Sequence, residues 1–525
     1  MSTPIGAPAG QWPGQATGPS GALGDLTPAL LATDQWTDQL VAAAGIPVAD
    51  VPFVTVGGGI GSFVLVDLLR IAGVPVEQMR VLTGADYPWQ QFEYLTRCSQ
   101  IPLAERIRSD SSSIPDNIWG FPSLAMREAW ETKKLGPAWN VLTEPVLSDF
   151  WAPQLGSIFE GLAKEATRIG WASMVMKGQV RMVRRRAGGG YYVVLTPPPG
   201  ATATLRVAVR ARFVHLAVGY PGVKFLDDLQ VYRSTYQDTF RVVNAYEPHE
   251  HVYAELLARP GTVVVRGSGV VASRVLQRLI DDRDSQGART TIVHIFRTYV
   301  AGPHGPSAFS RRKGADGWAY QGFAYPKSVW GGQHWDRART LEGDERAAFY
   351  EQIGGTSTPR RKKWRRQLAR GRDQGWYRQF VGAVRQVEPG PGGTVISRLE
   401  ESGSGQVFDV PASFIIDCTG LEGDLREHRV LADLLDHGGA GRNPLGRLDV
   451  DREFAVRGTE SAPGKVYATG SMTLGGYFCG VDTFLGLQLA AIDIADDLAR
   501  QGFGKRIGPA RSASQWWRRM KWREP

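Results

Sequence analysis

Cysteine is scarce in this 525-residue chain, which carries three, Cys98, Cys418 and Cys479. They lie far apart and form no CxxC pair or metal-type cluster, so a disulfide framework, a dithiol redox centre and a bound metal are not expected. No apolar run approaches the roughly 18–20 residues that a membrane span requires. The start of the chain lacks a basic stretch followed by an apolar block, so a secretory signal is not expected and a cytoplasmic location is. Charged residues make up 22% and apolar residues 42%, a balance that excludes wholesale disorder.

The formal charge of +9 permits binding to phosphates, nucleic acid or anionic lipid without requiring it. Much of the excess is local. Between Arg360 and Arg372, eight of thirteen residues are Lys or Arg. Trp364, Trp376 and Tyr377 lie in or beside that run, and Trp516 to Arg523 mixes bases and tryptophans in the same way. Such mixtures fit single-stranded nucleic acid, an acidic protein or a membrane surface. The plainer reading is a solvated basic face and a docking or disordered tail, and no nucleic-acid module accompanies either run.

Glycine-rich turns carry the main signal. Val51 to Val56 reads as a short buried strand, Gly57-Gly-Gly-Ile-Gly-Ser62 follows at once, and Phe63 to Ala72 reads as a helix. Met79 to Leu82 supplies a second strand. The unit recurs downstream, with strand Gly261 to Arg266, turn Gly267-Ser-Gly-Val-Val-Ala272, helix Ser273 to Asp282 and strand Thr290 to Phe296. Each unit is followed by a predicted hairpin, around Gly188–Gly190 and around Gly403–Gly405, and then by a strand with a Gly exit. Those exits are Phe213 to Gly219 and Phe414 to Gly420. A pattern repeated at this length is far harder to obtain by chance than one glycine motif.

In each turn the first glycine, Gly57 or Gly267, permits the tight bend. The second, Gly59 or Gly269, lets a pyrophosphate approach the backbone. Ser62 and Ala272 hold the third position, where a small residue lets helix and strand pack closely. The helix start at Gly61 and Ser62 directs N–H groups and the positive dipole end towards the phosphates. A ribose-binding acid is expected near the end of the second strand. Asp86 is the nearest, and a ribose contact and a solvated loop aspartate both fit it. Arg297 follows the second unit's last strand, where a guanidinium pairs with a 2′-phosphate; an exposed strand-end arginine is the alternative.

These motifs resemble flavoproteins with two dinucleotide-binding domains, the pyridine-nucleotide-dependent reductases and the flavin monooxygenases. The resemblance runs from Val51 to about Gly502 and includes the exits Leu216 to Tyr220, Asp417 to Gly420 and Val466 to Ser471. It implies an α/β protein of two Rossmann-like domains, with the NADPH domain inserted in the FAD domain. The expected divisions are a flexible leader over 1–48, with a short helix near Asp34–Ala44, FAD-binding segments 49–235 and 391–508, an NADPH segment 236–390 and a tail 509–525. The resemblance also places Gly420, Gly470, Ser471 and the loop Gly475–Gly480 near the cofactors. Hydride would pass from NADPH to FAD, and oxygenation of a small organic substrate is favoured. A reductase or dehydrogenase without oxygenation, or a non-catalytic redox sensor, remains open. The absence of paired cysteines sets aside disulfide reductases. No catalytic residue is singled out. The polar segment Arg108–Pro122, with Trp119, fits substrate or flavin contacts and equally a structured surface loop with Asx and Ser turns, and Arg106 and Arg108 are placed there as phosphate partners.

Overall fold

The computed structural model describes residues 24–107, 123–143, 151–198, 206–297, 313–315, 318–320, 333–353 and 362–525. Two sheets organise them, the first wholly parallel and the second parallel with an antiparallel extension through Tyr377–Pro389, Val395–Glu401 and Val407–Ala412. The first carries strands in the order Lys465–Ala468, Phe213–Leu216, Phe53–Val56, Met79–Thr83, Val175–Lys177. Phe53–Val56 and Phe213–Leu216 are buried at every position, as nearly continuous apolar runs predict for strands covered on both faces, with Thr55 and His215 the polar members. Helix Ile60–Ile71 covers one face and packs against the long helix Phe484–Arg500.

The second sheet centres on Thr262–Arg266, flanked by Thr291–Phe296 and Phe414–Asp417 in parallel. All its strands lie in the chain between Phe213–Leu216 and Lys465–Ala468, which are neighbours in the first sheet. This corrects the expected boundary at 391. Strands Val395–Glu401, Val407–Ala412 and Phe414–Asp417 belong to the second unit, because the last of them bonds directly to Thr262–Arg266.

The leader also needs correction. Residues 1–23 lie outside the described residues, but 24–48 are folded. Trp36 is fully buried in a two-residue strand that pairs with Gln179–Arg186, and helices Pro28–Ala32 and Asp38–Ala43 flank it. Leu26, Leu30, Val41 and Ile46 join Trp36 against Met182, Tyr192 and Val194. The Gly- and Pro-rich start hides this, since Trp36 finds its partners about 150 residues away.

The basic aromatic tail is the helix Pro509–Met520, docked on the first unit. Arg511 Nε donates to the Ile71 carbonyl, and Arg519 lies 3.4 Å from Glu165. In the basic run, Trp364 and Leu368 are fully buried in helix Lys362–Asp373, and Trp376 is buried beside it. Trp364, Trp376 and Tyr377 are core and offer no stacking platform for bases, whereas Trp516, Trp517 and Trp522 of the tail are exposed. Among the described residues, no helix is long and apolar enough to cross a membrane.

Candidate functional site

The two glycine turns have the same geometry. Gly57 has φ +95°, and a Cβ there would stand 2.4 Å from the Ala217 carbonyl oxygen. Gly267 has φ +114°, and its Cβ would lie 2.9 Å from the Cys418 carbonyl oxygen. Each glycine therefore lets a turn press against the exit of a neighbouring strand in a backbone conformation that L side chains avoid. Gly59 and Gly269 are the N-caps of Ile60–Ile71 and Val270–Gln286, with φ/ψ of −82°/−173° and −80°/−176°. Nothing lies within 4 Å of a Cβ built on either. Among the described residues each helix start thus opens on free space, with first-turn N–H groups that no backbone or side-chain acceptor takes, an arrangement suited to an anion.

At the helix start Gly61 also packs closely, since its Cβ would stand 3.2 Å from Ala217 Cβ and 3.3 Å from Thr469 Oγ1. Ser62 faces inward. Its hydroxyl donates to the Gly57 carbonyl at 2.5 Å and lies 2.7 Å from Thr55 Oγ1. Thr55 is 2.9 Å from His215 Nδ1, and His215 Nε2 is 2.9 Å from Thr469 Oγ1. The carbonyl fixes the proton order along this buried chain. Ser62 donates to Gly57, Thr55 to Ser62, His215 Nδ1 to Thr55, and Thr469 to His215 Nε2. Burial pushes the His215 pKa down to about 3, which keeps the ring neutral as the chain requires.

In the second turn His294 does what Ser62 does in the first. Its Nε2 donates to the Gly267 carbonyl at 2.6 Å, and Nδ1 lies 2.9 Å from the Tyr377 hydroxyl. Ala272 is fully buried at the close-packing position. Both turn carbonyls are therefore pinned from within, by different residues from different elements.

The other predicted positions divide. Gly420, with φ +146°, follows Cys418 and Thr419, which contact the Gly267 turn. Gly470, with φ +85°, leads into a short turn Ser471–Thr473, and the Thr469 beside it touches the first turn. Ser471 lines a small cavity with Gly219, Pro221, Gly423, Arg447 and Met472. Arg297 directly follows strand Thr291–Phe296, is exposed, and forms no ion pair with the described residues. Asp86 is exposed beyond Met79–Thr83 and pairs with Lys177 Nζ at 2.8 Å. Arg106 is committed to Glu128 and the Ala152 carbonyl. Arg108–Pro122 lies outside the described residues.

Sequence reasoning missed what covers the loop Gly475–Gly480. Helices Gln333–Thr340 and Gly343–Ile353, which interrupt the second unit, pack onto it. Tyr350 donates to the Gly476 carbonyl, Trp335 meets Phe478 edge-on at 5.9 Å, and Tyr477 donates to Glu342 at 2.6 Å. The Arg346 guanidinium lies 3.7 Å over the Tyr477 ring. The available signal was the long interval between Phe296 and Tyr377, far more than one crossover helix needs. Cys479 is buried in this contact, which pushes its pKa up to about 12 and leaves it a neutral thiol.

No family model matches the chain, and no curated protein matches it. Solved structures do share its fold. The ornithine hydroxylase of Pseudomonas aeruginosa is 17% identical, with the match covering 86% of this chain and all of that one at a TM-score of 0.61. An ornithine N-hydroxylase of Kutzneria sp. 744, whose solved state includes reduced FAD, NADP+ and L-ornithine, is 14% identical, covering 86% and 100% at 0.61. The FAD-bound cadaverine monooxygenase of the desferrioxamine pathway in Erwinia amylovora is 12% identical, covering 87% and 96% at 0.63. The chain therefore has the fold of these proteins, two Rossmann-like units in one α/β molecule.

Proposed function

We propose that the chain is an FAD-dependent monooxygenase that takes hydride from NADPH and oxygenates a small amine. The observation that carries this reading is the pair of matching helix starts, Gly59 and Gly269, each open where any side chain would intrude. A dinucleotide pyrophosphate fits such a cradle, and two cradles on one chain call for two dinucleotides. The names of the fold neighbours include FAD and NADP+, which supports these as the two nucleotides, and the order of the two turns along the chain assigns FAD to the first and NADPH to the second. Those neighbours are named for ornithine and cadaverine, which supports an amine as substrate.

In this reading Gly57, Gly59, Gly61 and Ser62 shape the FAD seat, with Asp86 towards the ribose. Gly470, Ser471 and the loop Gly475–Gly480 lie along the flavin. Gly267, Gly269, Ala272 and Gly420 shape the NADPH seat, and Arg297 meets the 2′-phosphate. The FAD unit then comprises 49–235 and the chain after Gly420, with the NADPH unit between them. Bound FAD would accept hydride and pass its electrons to oxygen. The chain's own residues hold the two nucleotides in register, and the helices Gln333–Thr340 and Gly343–Ile353 shield the loop beside the flavin from water.

The test is the purified yellow protein given NADPH, oxygen, and ornithine or cadaverine. NADPH consumption matched by hydroxylated amine is expected. Consumption that yields only peroxide across a broad amine panel would replace the oxygenase reading with a reductase. Slow bleaching without turnover would point to a sensor.

A further inference from the structure

A carboxylate that neither nucleotide seat requires stands at the start of the last long helix. Asp482 immediately precedes Thr483, the N-cap of Phe484–Arg500, and is exposed. It is nevertheless ringed by protein. The Tyr220 hydroxyl donates to its Oδ2 at 3.3 Å, while Arg447 and Tyr246 stand close enough to interact without pairing with it. Among the described residues Asp482 forms no ion pair. The surrounding protein pushes its carboxyl above the usual aspartate value, against the opposing pull of its own backbone N–H, Tyr220 and Arg447.

Its neighbours locate it. Tyr220 follows the exit of Phe213–Leu216, next to the first turn. Tyr246 lies just beyond Val242–Asn244 in the second unit and interacts with Cys418, whose carbonyl touches Gly267. Asp482 therefore lies where the exits beside the two turns converge. A solvent-reachable carboxylate with a phenol as its direct partner and no ion pair among the described residues is complementary to a cation. The positive end of the helix behind it favours the anion until that cation arrives.

Resting on the monooxygenase reading above, we propose that Asp482, backed by Tyr220, receives the protonated amine head of the substrate and takes its proton. The ammonium nitrogen has no lone pair with which to attack. Transfer of one proton from R–NH3+ to the Asp482 carboxylate gives R–NH2 and the neutral acid, with no change in oxidation state. The open side of Asp482 then releases the proton to water.

The experiment compares wild type, Asp482→Asn, Asp482→Glu and Tyr220→Phe, with ornithine and cadaverine as probes. FAD content is read by absorbance, and kcat/KM for amine oxygenation is read across pH. Among the described residues the titratable groups that face Asp482 are Tyr220, Tyr246 and Arg447, so the acidic limb of the profile is assigned to Asp482. In wild type, kcat/KM rises with pH as the carboxylate forms. Asp482→Asn should keep its FAD, lose about 100-fold in kcat/KM and lose that limb. Asp482→Glu should restore the limb at a reduced rate. Tyr220→Phe should move it to higher pH, because a bond that favours the carboxylate is gone, and it decides the matter if the Asn variant fails to fold. An Asn variant with wild-type kcat/KM and profile overturns the inference, as does an unmoved limb in Tyr220→Phe. A wild type that oxidises NADPH but neither binds nor oxygenates either amine also overturns it while leaving the cofactor assignment standing. A wild type without FAD would instead sink the function proposed above.

Discussion

Substitutions two residues apart in the first turn should separate folding from binding. A Cβ on Gly57 meets the Ala217 carbonyl at 2.4 Å in a positive-φ backbone, so Gly57→Ala should destabilise the fold itself. A Cβ on Gly59 meets no atom of the described residues in an extended backbone, so Gly59→Val should melt close to wild type stripped of FAD. It should nonetheless lose its FAD, because the side chain fills the space reserved for the pyrophosphate. Thermal melting and flavin absorbance per chain check the pair; full FAD occupancy in Gly59→Val would remove the basis of the first assignment. Arg297 is tested by cofactor choice. Losing a charge-assisted bond costs about 1.5–3 kcal/mol, so Arg297→Ala should raise KM for NADPH roughly 10- to 100-fold and leave NADH almost unchanged. Equal losses for both cofactors would give Arg297 a structural role. These glycines were legible in the sequence because their demands are local. Asp482 was not, since its importance comes from Tyr220, Tyr246 and Arg447, which are brought to it from three distant segments.

At the level of elements, strand, turn and helix were readable twice over, because each repeat spells out an apolar run, a glycine signal and a helical stretch in sequence. The chain of hydrogen bonds behind the first turn was not readable. Thr55, His215 and Thr469 come from or directly follow three different strands, and only the parallel pairing of those strands lines them up. That chain has a pH signature. Burial pushes His215 down to about 3 and His294 to about 4, below the ordinary value near 6.5. Unfolded histidines bind protons first as pH falls, so their contribution to stability is complete above about pH 6.5 and is lost progressively towards pH 4 and below. His215→Phe should remove part of that acid dependence. It should also destabilise at neutral pH, because Thr55 and Thr469 lose their shared partner at about 1–3 kcal/mol for each buried group left unpaired. Chemical denaturation at pH 7.5 and 5.5 measures both effects; an unchanged pH slope in His215→Phe would contradict the neutral-ring assignment. Asp67 works in the opposite sense. Burial and the nearby Glu165 charge raise its pKa well above normal, so its contribution weakens as pH rises above about 4. Asp67→Asn should therefore flatten that part of the profile.

The whole molecule joins its two units by contacts of different character. On one side, helices Gln333–Thr340 and Gly343–Ile353 bring Tyr350, Trp335 and Phe349 onto the loop Gly475–Gly480. On the other, helix Val270–Gln286 meets the first unit through polar groups. Arg274 pairs with Glu105, Arg278 donates to Gln100 at 2.9 Å, and Gln100 donates to Glu250 at 2.7 Å. None of this was legible in the sequence, because neither the inserted helices nor the pair Arg274–Glu105 follows from a local pattern. The polar side should control how the second unit is aimed at the first. Val270–Gln286 begins at the second turn, so a tilt at Arg274 displaces whatever that turn holds. Arg274→Ala leaves Glu105 without its cation but touches neither Gly59 nor the first sheet. Its FAD content should match wild type. Anaerobic flavin reduction by NADPH should slow by about tenfold or more, since misplacing reacting groups by even about 1 Å is costly. The neutral pair Arg274→Gln with Glu105→Gln should recover part of the rate by restoring a hydrogen bond. Stopped-flow reduction with excess NADPH measures this directly. An Arg274→Ala enzyme reduced at the wild-type rate would mean that the inserted helices alone fix the units in register.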